Sequence, residues 1–507
     1  MLRRRYQIEK ASFEAYRNKL RNRSPPSSLS RDEEIKKEEE EEEQPLSPAG
    51  RLFHEPNFNV HVLAIMGYKV KIDPVVALDN LPLTLLKHPR FSSLAAVDEK
   101  EGGKMKWVRT EVDLDKHIII PDIDLANYKD CPDIYLEDYI YNLTKTSFDK
   151  TRPLWDLHIL NLKTSQAESV GIFRIHHSLG DGISLMSLLL ACTRQTSNPE
   201  ALPTIPTHKI REKNNEGGNH FLGRLVVVLF GLWWVFKLFW NTLVDVCMFM
   251  ATAFLVLKDT NTPIKGPPGS EKNPRRIVFK IVSLDDMKLV KNALNVTIND
   301  VALGVTQAGL SKYLNRRYGL QNKNAEGVPG TVKKNNLPRK IRLRSILFMN
   351  LRPSPGIQAL ADMMEKNTKA KWGNWFGYVL LPFTIALKDD PLDYIRQAKT
   401  TIDRKKHSLE ALGSFLIAGF VYNFFGIKLA SSFFQRLFTG TTMAFSNVVG
   451  PLEEIGFYGH PMAYLAATAY GQASVSFINC LLFGIYIHNS QKLPLSTIAF
   501  SNLVFIN

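Results

Sequence analysis

Residues 176–182 read His-His-Ser-Leu-Gly-Asp-Gly, and this stretch decides the fold class. A β-rich apolar run at 170–175 precedes it and a helical apolar run at 183–190 follows it, so the motif lies on a turn from a strand to a helix. Adjacent residues of a strand face opposite sides, so only one of His176 and His177 can point into a given cleft. The pattern predicts a buried strand that delivers one histidine to the start of a helix.

The chemistry of this turn leaves three interpretations open. A neutral imidazole near physiological pH can take a proton from a hydroxyl or thiol nucleophile. The two histidines and Asp181 could instead be metal ligands, although neighbouring strand histidines seldom converge on one ion, or the turn could be purely structural. Gly180 and Gly182 permit the tight turn, and Asp181 can hold it through a salt bridge or backbone hydrogen bonds. We favour general-base catalysis of acyl transfer.

Strand and helix patterns alternate on both sides of the motif and predict an α/β or α+β fold. Strand-like runs occur at 60–65 and 117–120, and an amphipathic helix pattern occurs at 134–143. A further strand is predicted at 277–282. Thr297-Ile-Asn-Asp300 resembles a capping box at the start of a helix that runs to about residue 315.

The motif resembles the HHxxxDG signature of CoA-dependent acyltransferases with the chloramphenicol acetyltransferase-like fold, which BAHD acyltransferases and condensation domains of peptide synthetases share. Further motifs follow in order and narrow the resemblance: Pro45-Leu46-Ser47-Pro48, Pro153-Leu154-Trp155-Asp156-Leu157, Asn299-Asp300-Val301, Asn350-Leu351-Arg352-Pro353, Gly373-Asn374 and Ser446-Asn447-Val448-Val449-Gly450-Pro451. Together, over residues 45–505, they look like the plant bifunctional wax ester synthase/diacylglycerol acyltransferase family. Val449 stands where that family usually shows proline, and the DFGWG-like segment of BAHD enzymes is missing from the sequence.

The resemblance implies two similar subdomains with a central tunnel between them, which acyl-CoA and the acceptor alcohol enter from opposite sides. His177 would deprotonate the alcohol, which attacks the thioester carbonyl without a covalent acyl-enzyme. His176 would have a supporting role in the catalytic motif, which Gly182 completes. Asp181 would be structural, paired with an arginine of the second subdomain such as Arg352.

The resemblance also implies contacts with the substrates. Asn299, Ser446 and Asn447 are candidate hydrogen-bond donors to the oxyanion, although Asn299 could equally cap its helix. Trp155 could line the path of the acyl chain or could be a core residue.

Composition divides the chain into four parts. Residues 1–45 form a disordered charged tail whose 11 basic and 11 acidic side chains cancel, and whose EEIKKEEEEEE block has too little apolar surface to fold. Residues 46–204 form the N-terminal acyltransferase subdomain with the HHxxxDG motif. Residues 205–275 form a linker that contains an apolar segment, and residues 276–507 form the C-terminal acyltransferase subdomain.

The apolar segment, residues 221–257, predicts a membrane-associating helix. Its first uncharged run is 12 residues long, whereas a bilayer span needs about 20. Lys237, Asn241 and Asp245 recur at helical spacing and form one polar stripe on a surface that is otherwise apolar. Such a helix suits the membrane interface, while a full span and a helix buried against the second subdomain both stay open.

The formal net charge is +15, and because the tail is neutral the excess lies in residues 46–507. A basic body suggests an anionic partner such as a phosphate-bearing substrate, an anionic membrane surface or nucleic acid. The sequence contains no zinc finger, helix-turn-helix or RNP-like signal, so we predict no nucleic-acid partner. The basic run at 333–344 could contact CoA phosphates or lipid headgroups, or could be a solvated loop.

Four dispersed cysteines and the lack of an apolar leader predict free thiols and no cleaved signal peptide. With the resemblance, these features place the protein at the endoplasmic reticulum membrane, with the plasma membrane as a second candidate, and its active site in a reducing compartment. The expected partners are acyl-CoA, a fatty alcohol or diacylglycerol, and membrane lipid. We expect no metal and no cofactor, since acyl-CoA is a substrate.

Overall fold

The structure of this chain is a computed structural model. It describes residues 43–98, 103–125, 131–205, 221–265, 276–326, 335–351, 356–366, 368, 372–472, 476–483 and 497–501. The charged tail up to residue 42 and Arg352 lie outside these ranges, as does part of the basic run at 333–344. Residues 43–45, predicted as the end of the tail, belong to the fold because they form a strand.

Sixteen strands and ten α-helices lie within the described ranges. The strands are β1 Glu43–Pro45, β2 His61–Tyr68, β3 Ser93–Asp98, β4 Lys104–Arg109, β5 Ile118–Ile119, β6 Trp155–Leu160, β7 Ser169–His176, β8 Thr193–Gln195, β9 Phe279–Ser283, β10 Leu343–Asn350, β11 Phe376–Phe383, β12 Met443–Val449, β13 Ile455–Phe457, β14 His460–Tyr470, β15 Ser476–Phe483 and β16 Thr497–Ser501. The α-helices are α1 Pro48–Leu52, α2 Pro74–Asn80, α3 Pro132–Leu143, α4 Gly182–Ala191, α5 Phe221–Ala253, α6 Leu284–Leu294, α7 Ile298–Glu326, α8 Ile357–Lys366, α9 Leu392–Lys406 and α10 Glu410–Gly440. Short 3-10 turns occur at Pro56–Phe58, Leu85–Lys87, Pro89–Ser92, Leu114–Lys116 and His177–Leu179.

The elements predicted around the motif are present with small shifts of their ends. The strand expected at 170–175 is β7, and the helix expected at 183–190 is α4. The capping box is confirmed, because the Thr297 amide donates to Asp300 Oδ2 at 2.7 Å and the Asp300 amide donates to Thr297 Oγ1 at 3.2 Å. Helix α7 continues to Glu326, past the predicted end near residue 315.

The first sheet has seven strands in the order β5-β6-β7-β2-β14-β13-β8. Strand β7, which leads into the motif, pairs antiparallel with β6 on one side and with β2 on the other. Every residue of β6 and β7 is buried, as expected for strands that are covered on both faces. Strand β7 is an inner strand of this sheet and packs in the largest hydrophobic cluster of the described residues, so the motif at its end follows a rigid support.

The second sheet has six strands in the order β11-β10-β12-β15-β16-β9. Its centre is parallel, since β12 pairs parallel with both β10 and β15. A separate three-stranded sheet, β1-β4-β3, involves the start of the folded chain.

The sequence boundaries at 204 and 276 do not separate the two large sheets. Strands β13 and β14 come from the C-terminal part of the chain, yet β14 pairs antiparallel with β2 and β13 pairs with β8 in the first sheet. Residues 455–470 therefore complete the first sheet, so the C-terminal part of the chain contributes strands to both large sheets.

The apolar segment forms helix α5, and the described contacts of this helix with the fold lie mostly in its C-terminal half. Its C-terminal half packs on the fold through Phe249 and Ala253, and Asp245 Oδ1 lies 2.8 Å from Arg404 Nη2 and 3.0 Å from Lys405 Nζ. Its other half, residues 226–240, exposes large apolar side chains almost without interruption. The predicted polar stripe is thus partly an anchor, because Asp245 faces the fold rather than solvent.

A second long apolar helix, α10, packs beside α5 and was missed by the sequence analysis. Gly426 interrupts it with a φ of 75°, which glycine tolerates. Ser414 accepts a hydrogen bond from the Tyr378 amide at 2.8 Å, and Phe434 lies 5.1 Å from the Tyr378 ring. Twenty residues of straight helix would separate Ser414 and Phe434 by about 30 Å, so α10 folds back on itself at Gly426.

Helices α5 and α10 are both long and apolar enough, by length and composition, to cross a membrane. The tip of the bent helix α10 exposes Phe420, Phe424, Phe425 and Leu429. Two apolar surfaces of this kind on neighbouring helices are evidence for membrane association of the protein.

Candidate active site

A cavity of about 170 Å³ lies between the two large sheets, and both halves of the chain contribute to its wall. Most of the wall is apolar, with side chains from β2, β7, β14 and α4 on one side and from β10, β11 and β12 on the other. Its polar residues are His177, Asp181, Asn350, Tyr378, Ser446, Asn447, Thr468 and Gln472. A mostly apolar wall with a small number of polar residues is typical of a binding site for a small molecule.

The motif divides its two histidines between the cavity and the core. Strand β7 ends at His176, a 3-10 turn begins at His177, and α4 begins at Gly182. The ring of His177 lines the cavity. His176 is 3% exposed and faces away, with Nδ1 2.7 Å from Ser178 Oγ and Nε2 3.1 Å from Asn59 Oδ1. His176 therefore fixes the turn, consistent with a supporting role.

His177 is held in place by its backbone and by an aromatic neighbour. Its amide donates to the Val60 carbonyl at 2.9 Å, and the Phe53 ring lies 4.5 Å from the imidazole. Burial lowers the pKa of His177 below 6.5, although nearby Asp181 and Asn374 act in the opposite direction. A lowered pKa keeps the ring neutral at physiological pH, which is the protonation state that a general base requires.

Asp181 is the N-cap of helix α4. Its Oδ1 accepts from the Ser184 amide at 2.8 Å, and its Oδ2 accepts from the Trp375 amide at 3.4 Å. Arg352, the partner suggested by the resemblance, lies outside the described residues. The structural role expected for Asp181 thus rests on backbone amides from both halves of the chain.

Residues 372–375 clasp the motif from the second half, and the sequence analysis did not assign them a role. The Trp372 indole donates to the Leu179 carbonyl at 2.6 Å. Asn374 Nδ2 donates to the carbonyls of His177 and Ser178 at 3.2 and 3.3 Å. Two buried polar atoms lack a hydrogen-bond partner among the described residues here, Asn374 Oδ1 and the Nδ1 of His177. The one available sequence signal was the Gly373-Asn374 motif.

Gly180 is required by this clasp rather than by its backbone angles. Its φ is 179°, which any residue adopts. A Cβ at Gly180 would lie 2.7 Å from Trp372 Cζ2, whereas a Cβ at Gly182 would meet nothing within 4 Å. The two glycines of the motif are therefore constrained differently: Gly180 by its packing against Trp372, and Gly182 by the cavity space that a side chain would occupy.

The candidate oxyanion donors lie across the cavity from the motif. Ser446 and Asn447, on β12, both line the wall. Asn299 is exposed and lies outside the wall, but its Oδ1 accepts a hydrogen bond from Asn447 Nδ2. Asn299 does not cap helix α7, a role that Thr297 and Asp300 fill. The structure thus brings Asn299 to Asn447, one step removed from the cavity.

Trp155 lies in the core and does not line the cavity. It is 1% exposed, its Nε1 donates to the Phe91 carbonyl at 2.8 Å, and its ring stacks on His117 at 4.3 Å. The proposed contact of Trp155 with the acyl chain is not supported by this position. In the described part of the chain, no group of three or more His, Cys, Asp and Glu side chains could hold a metal ion.

Comparisons with known proteins agree with the ordered motifs. The family model for the wax ester synthase/diacylglycerol acyltransferase catalytic domain matches residues 76–302, and that for the WS/DGAT C-terminal domain matches residues 372–483. Wax ester synthase/diacylglycerol acyltransferase 11 of Arabidopsis thaliana is 51% identical over 432 residues, which are 84% of this chain and 85% of that protein. Number 4 of the same series and species is 49% identical over 442 residues, 86% of this chain and 83% of that protein.

The fold has a counterpart among solved structures. A wax ester synthase/diacylglycerol acyltransferase from Marinobacter aquaeolei VT8 superimposes with a TM-score of 0.51. The match covers 90% of this chain and 92% of that chain at 14% identity. The two-subdomain architecture expected from the resemblance is therefore confirmed.

Proposed function

The chain belongs to the wax ester synthase/diacylglycerol acyltransferase family, and we propose that it transfers a long-chain acyl group from acyl-CoA to a long-chain fatty alcohol, with diacylglycerol as a second acceptor. The position of His177 carries this proposal. An imidazole whose pKa is lowered by desolvation lies on the wall of a mostly apolar cavity, with Ser446 and Asn447 contributed by β12 of the other sheet.

The reaction needs one base and one site for negative charge. His177 takes the hydroxyl proton as the alcohol oxygen attacks the thioester carbonyl, a contribution of typically about 10²- to 10⁴-fold to the rate. The Ser446 hydroxyl is a donor to the developing oxyanion, and the Asn447 amide is positioned by Asn299. Collapse of the intermediate forms the ester, breaks the C–S bond, and returns the proton from His177 to the leaving CoA thiolate.

The proposed location is the endoplasmic reticulum membrane, with the active site on the reducing side. The free half of α5 and the tip of α10 would enter the lipid, because both expose contiguous large apolar side chains. Lys237 and Lys428 are exposed within these surfaces and could reach lipid headgroups. Such an arrangement brings the cavity close to the phase in which fatty alcohols and diacylglycerol dissolve.

A microsomal assay with labelled palmitoyl-CoA tests the proposal. Hexadecanol and diacylglycerol are offered separately to the wild type, to His177→Ala and to the control His407→Ala, whose half-buried histidine lies outside the cavity wall. We expect wax ester with hexadecanol, and triacylglycerol if diacylglycerol is also an acceptor, from the wild type and the control but not from His177→Ala.

Two results would point elsewhere. If equally expressed wild type makes neither product, the acceptor is another alcohol or the protein binds lipid without turnover. If His177→Ala folds and keeps full activity, His177 is not the base.

A further inference from the structure

Three cavities follow one another from the motif into the core, and His177 lines the first of them. Side chains of helix α4 line the first two, whereas the third lies beyond the helix, between strands of the first sheet. The first is the cavity of about 170 Å³, and the second and third hold about 10 Å³ each. One layer of side chains separates each neighbouring pair, because the pairs share wall residues. The first two share Phe173, Ile175, Leu185 and Leu189, and the last two share Leu157, Phe457 and Tyr458.

The direction of the row follows from helical spacing. Leu185, Leu189 and Cys192 recur at i, i+4 and i+7, so they lie on one face at the end of α4. Leu185 and Leu189 line the first two cavities, whereas Cys192 lines only the second of the three. The first two cavities therefore start at the catalytic motif and follow α4 toward its C-terminal end, and the third continues the row past Tyr458.

Beyond Leu189, the wall of the second cavity contains neutral groups that already have hydrogen-bond partners, Tyr458 and Cys192. The buried hydroxyls of Tyr458 and Thr84 hydrogen-bond to each other, and Thr84 also donates to the Asn80 carbonyl at 2.7 Å. Burial raises the pKa of the Cys192 thiol to about 12, so the thiol stays protonated. Such a wall suits the methyl end of a hydrocarbon chain and disfavours a charged group.

We propose that this row is the binding site for the alkyl chain of a lipid substrate, with Leu189 as the constriction that measures the length of the chain. The inference rests on the proposed function, which supplies a long-chain substrate that reacts beside His177. From Gly182 to Cys192 the helix rises about 15 Å, comparable to an extended dodecyl chain. Leu189 lies about 10 Å along this path, so a chain longer than that must displace Leu189, and a chain that passes the second cavity must also displace the side chains around Tyr458.

The chemistry fits both the acyl chain of the thioester and the chain of the alcohol, and two series of substrates separate them. In the first, acyl-CoA donors from octanoyl to stearoyl are offered with one fixed alcohol. In the second, alcohols from octanol to octadecanol are offered with one fixed donor. The series in which the preference changes identifies the chain that lies beneath α4.

Two variants change the width of the constriction in opposite directions. Leu189→Ala opens it, and the ratio of kcat/KM for the longest to the shortest chain should rise by about 10-fold or more, within the range that one methylene group commands in an apolar pocket. Leu189→Phe narrows it, and the same ratio should fall. Leu190→Ala is the matched control, since Leu190 is equally buried in α4 but does not line the three cavities.

The outcomes separate this inference from the proposed function. If the wild type and both Leu189 variants are active with unchanged preference in both series, the chain lies elsewhere and the inference is overturned. If Leu189→Ala does not fold, Leu189→Phe decides. If the wild type makes no ester at all, the proposed function fails, and the Kd values of unreactive S-alkyl-CoA thioethers and of the free alcohols still show whether Leu189 controls chain length.

Discussion

The two glycines of the motif give opposite predictions for the same substitution. Gly180→Ala places a methyl group 2.7 Å from Trp372 Cζ2, closer than real Cβ contacts, so the indole must move. Gly182→Ala places its methyl group in open space at the edge of the cavity. A comparison by sequence alone offers no reason to treat the two positions differently.

The magnitude follows from what the indole loses when it moves. The Trp372 hydrogen bond to the buried Leu179 carbonyl would break, and an unsatisfied buried group costs about 1–3 kcal/mol. Overpacking adds about 1–3 kcal/mol, so we expect Gly180→Ala to lower the free energy of unfolding by about 2–6 kcal/mol. Gly182→Ala should leave stability unchanged or raise it by at most about 1 kcal/mol, and its effect should appear in KM because the methyl group occupies substrate space.

Guanidinium unfolding in detergent, followed by circular dichroism, measures both variants. A double-mutant cycle with Trp372→Ala supplies the control, since removing the indole should rescue Gly180→Ala by about 1 kcal/mol or more. The reasoning is refuted if Gly180→Ala is as stable as the wild type, or if Trp372→Ala leaves its destabilisation unchanged.

Three further predictions concern the base, the core and the excluded tryptophan. Because burial lowers the pKa of His177, its imidazole should stay neutral at pH values somewhat below 6.5. The acid limb of the pH profile of kcat/KM should therefore have its midpoint below pH 6.5. A midpoint above 6.5 would contradict the assignment of His177 as the base. Asp156 Oδ1 lies 3.0 Å from Nε of the buried Arg174, so Asp156→Ala leaves this guanidinium without its carboxylate. The free energy of unfolding, measured with denaturant, should fall by about 3–5 kcal/mol. A fall of less than about 1 kcal/mol would show that the pair contributes little. Trp155→Phe should lower the free energy of unfolding by about 1–3 kcal/mol, because the Phe91 carbonyl loses its hydrogen-bond donor. The preference for acyl-chain length should stay unchanged; a changed preference would show that Trp155 contacts the substrate.

Short-range physics made part of the site predictable. The alternation of strand side chains indicated that His176 and His177 would separate, and they do. The capping box at 297–300 was equally local, because its hydrogen bonds join residues three apart. The side chains nearest to the motif were therefore placed from the sequence with little further information.

Contacts between residues far apart in the chain could not be predicted from the sequence. The clasp of Trp372 and Asn374 on the motif joins residues almost 200 positions apart, and no period or spacing encodes such a pairing. A large aromatic side chain such as that of Trp155 is equally suited to contact a lipid chain or to fill a core. Strand β6 directs this side chain into the core, which the sequence does not reveal. The second apolar helix, α10, was missed because Gly426 and scattered polar residues interrupt its pattern.

Strands β13 and β14 belong to the first sheet but come late in the chain, and this constrains folding during synthesis. Strand β2 has its second neighbour only when residues 460–470 have been synthesised, some 284 positions after β7 ends. At about 5–20 residues per second, this gap lasts about 15 to 60 s on the ribosome. Throughout it the nascent first sheet has an open edge that invites pairing with other chains. Nascent chains arrested before β13 should therefore be protease-sensitive and bound by chaperones, and protection at residues 61–68 should appear only after residue 470 has emerged.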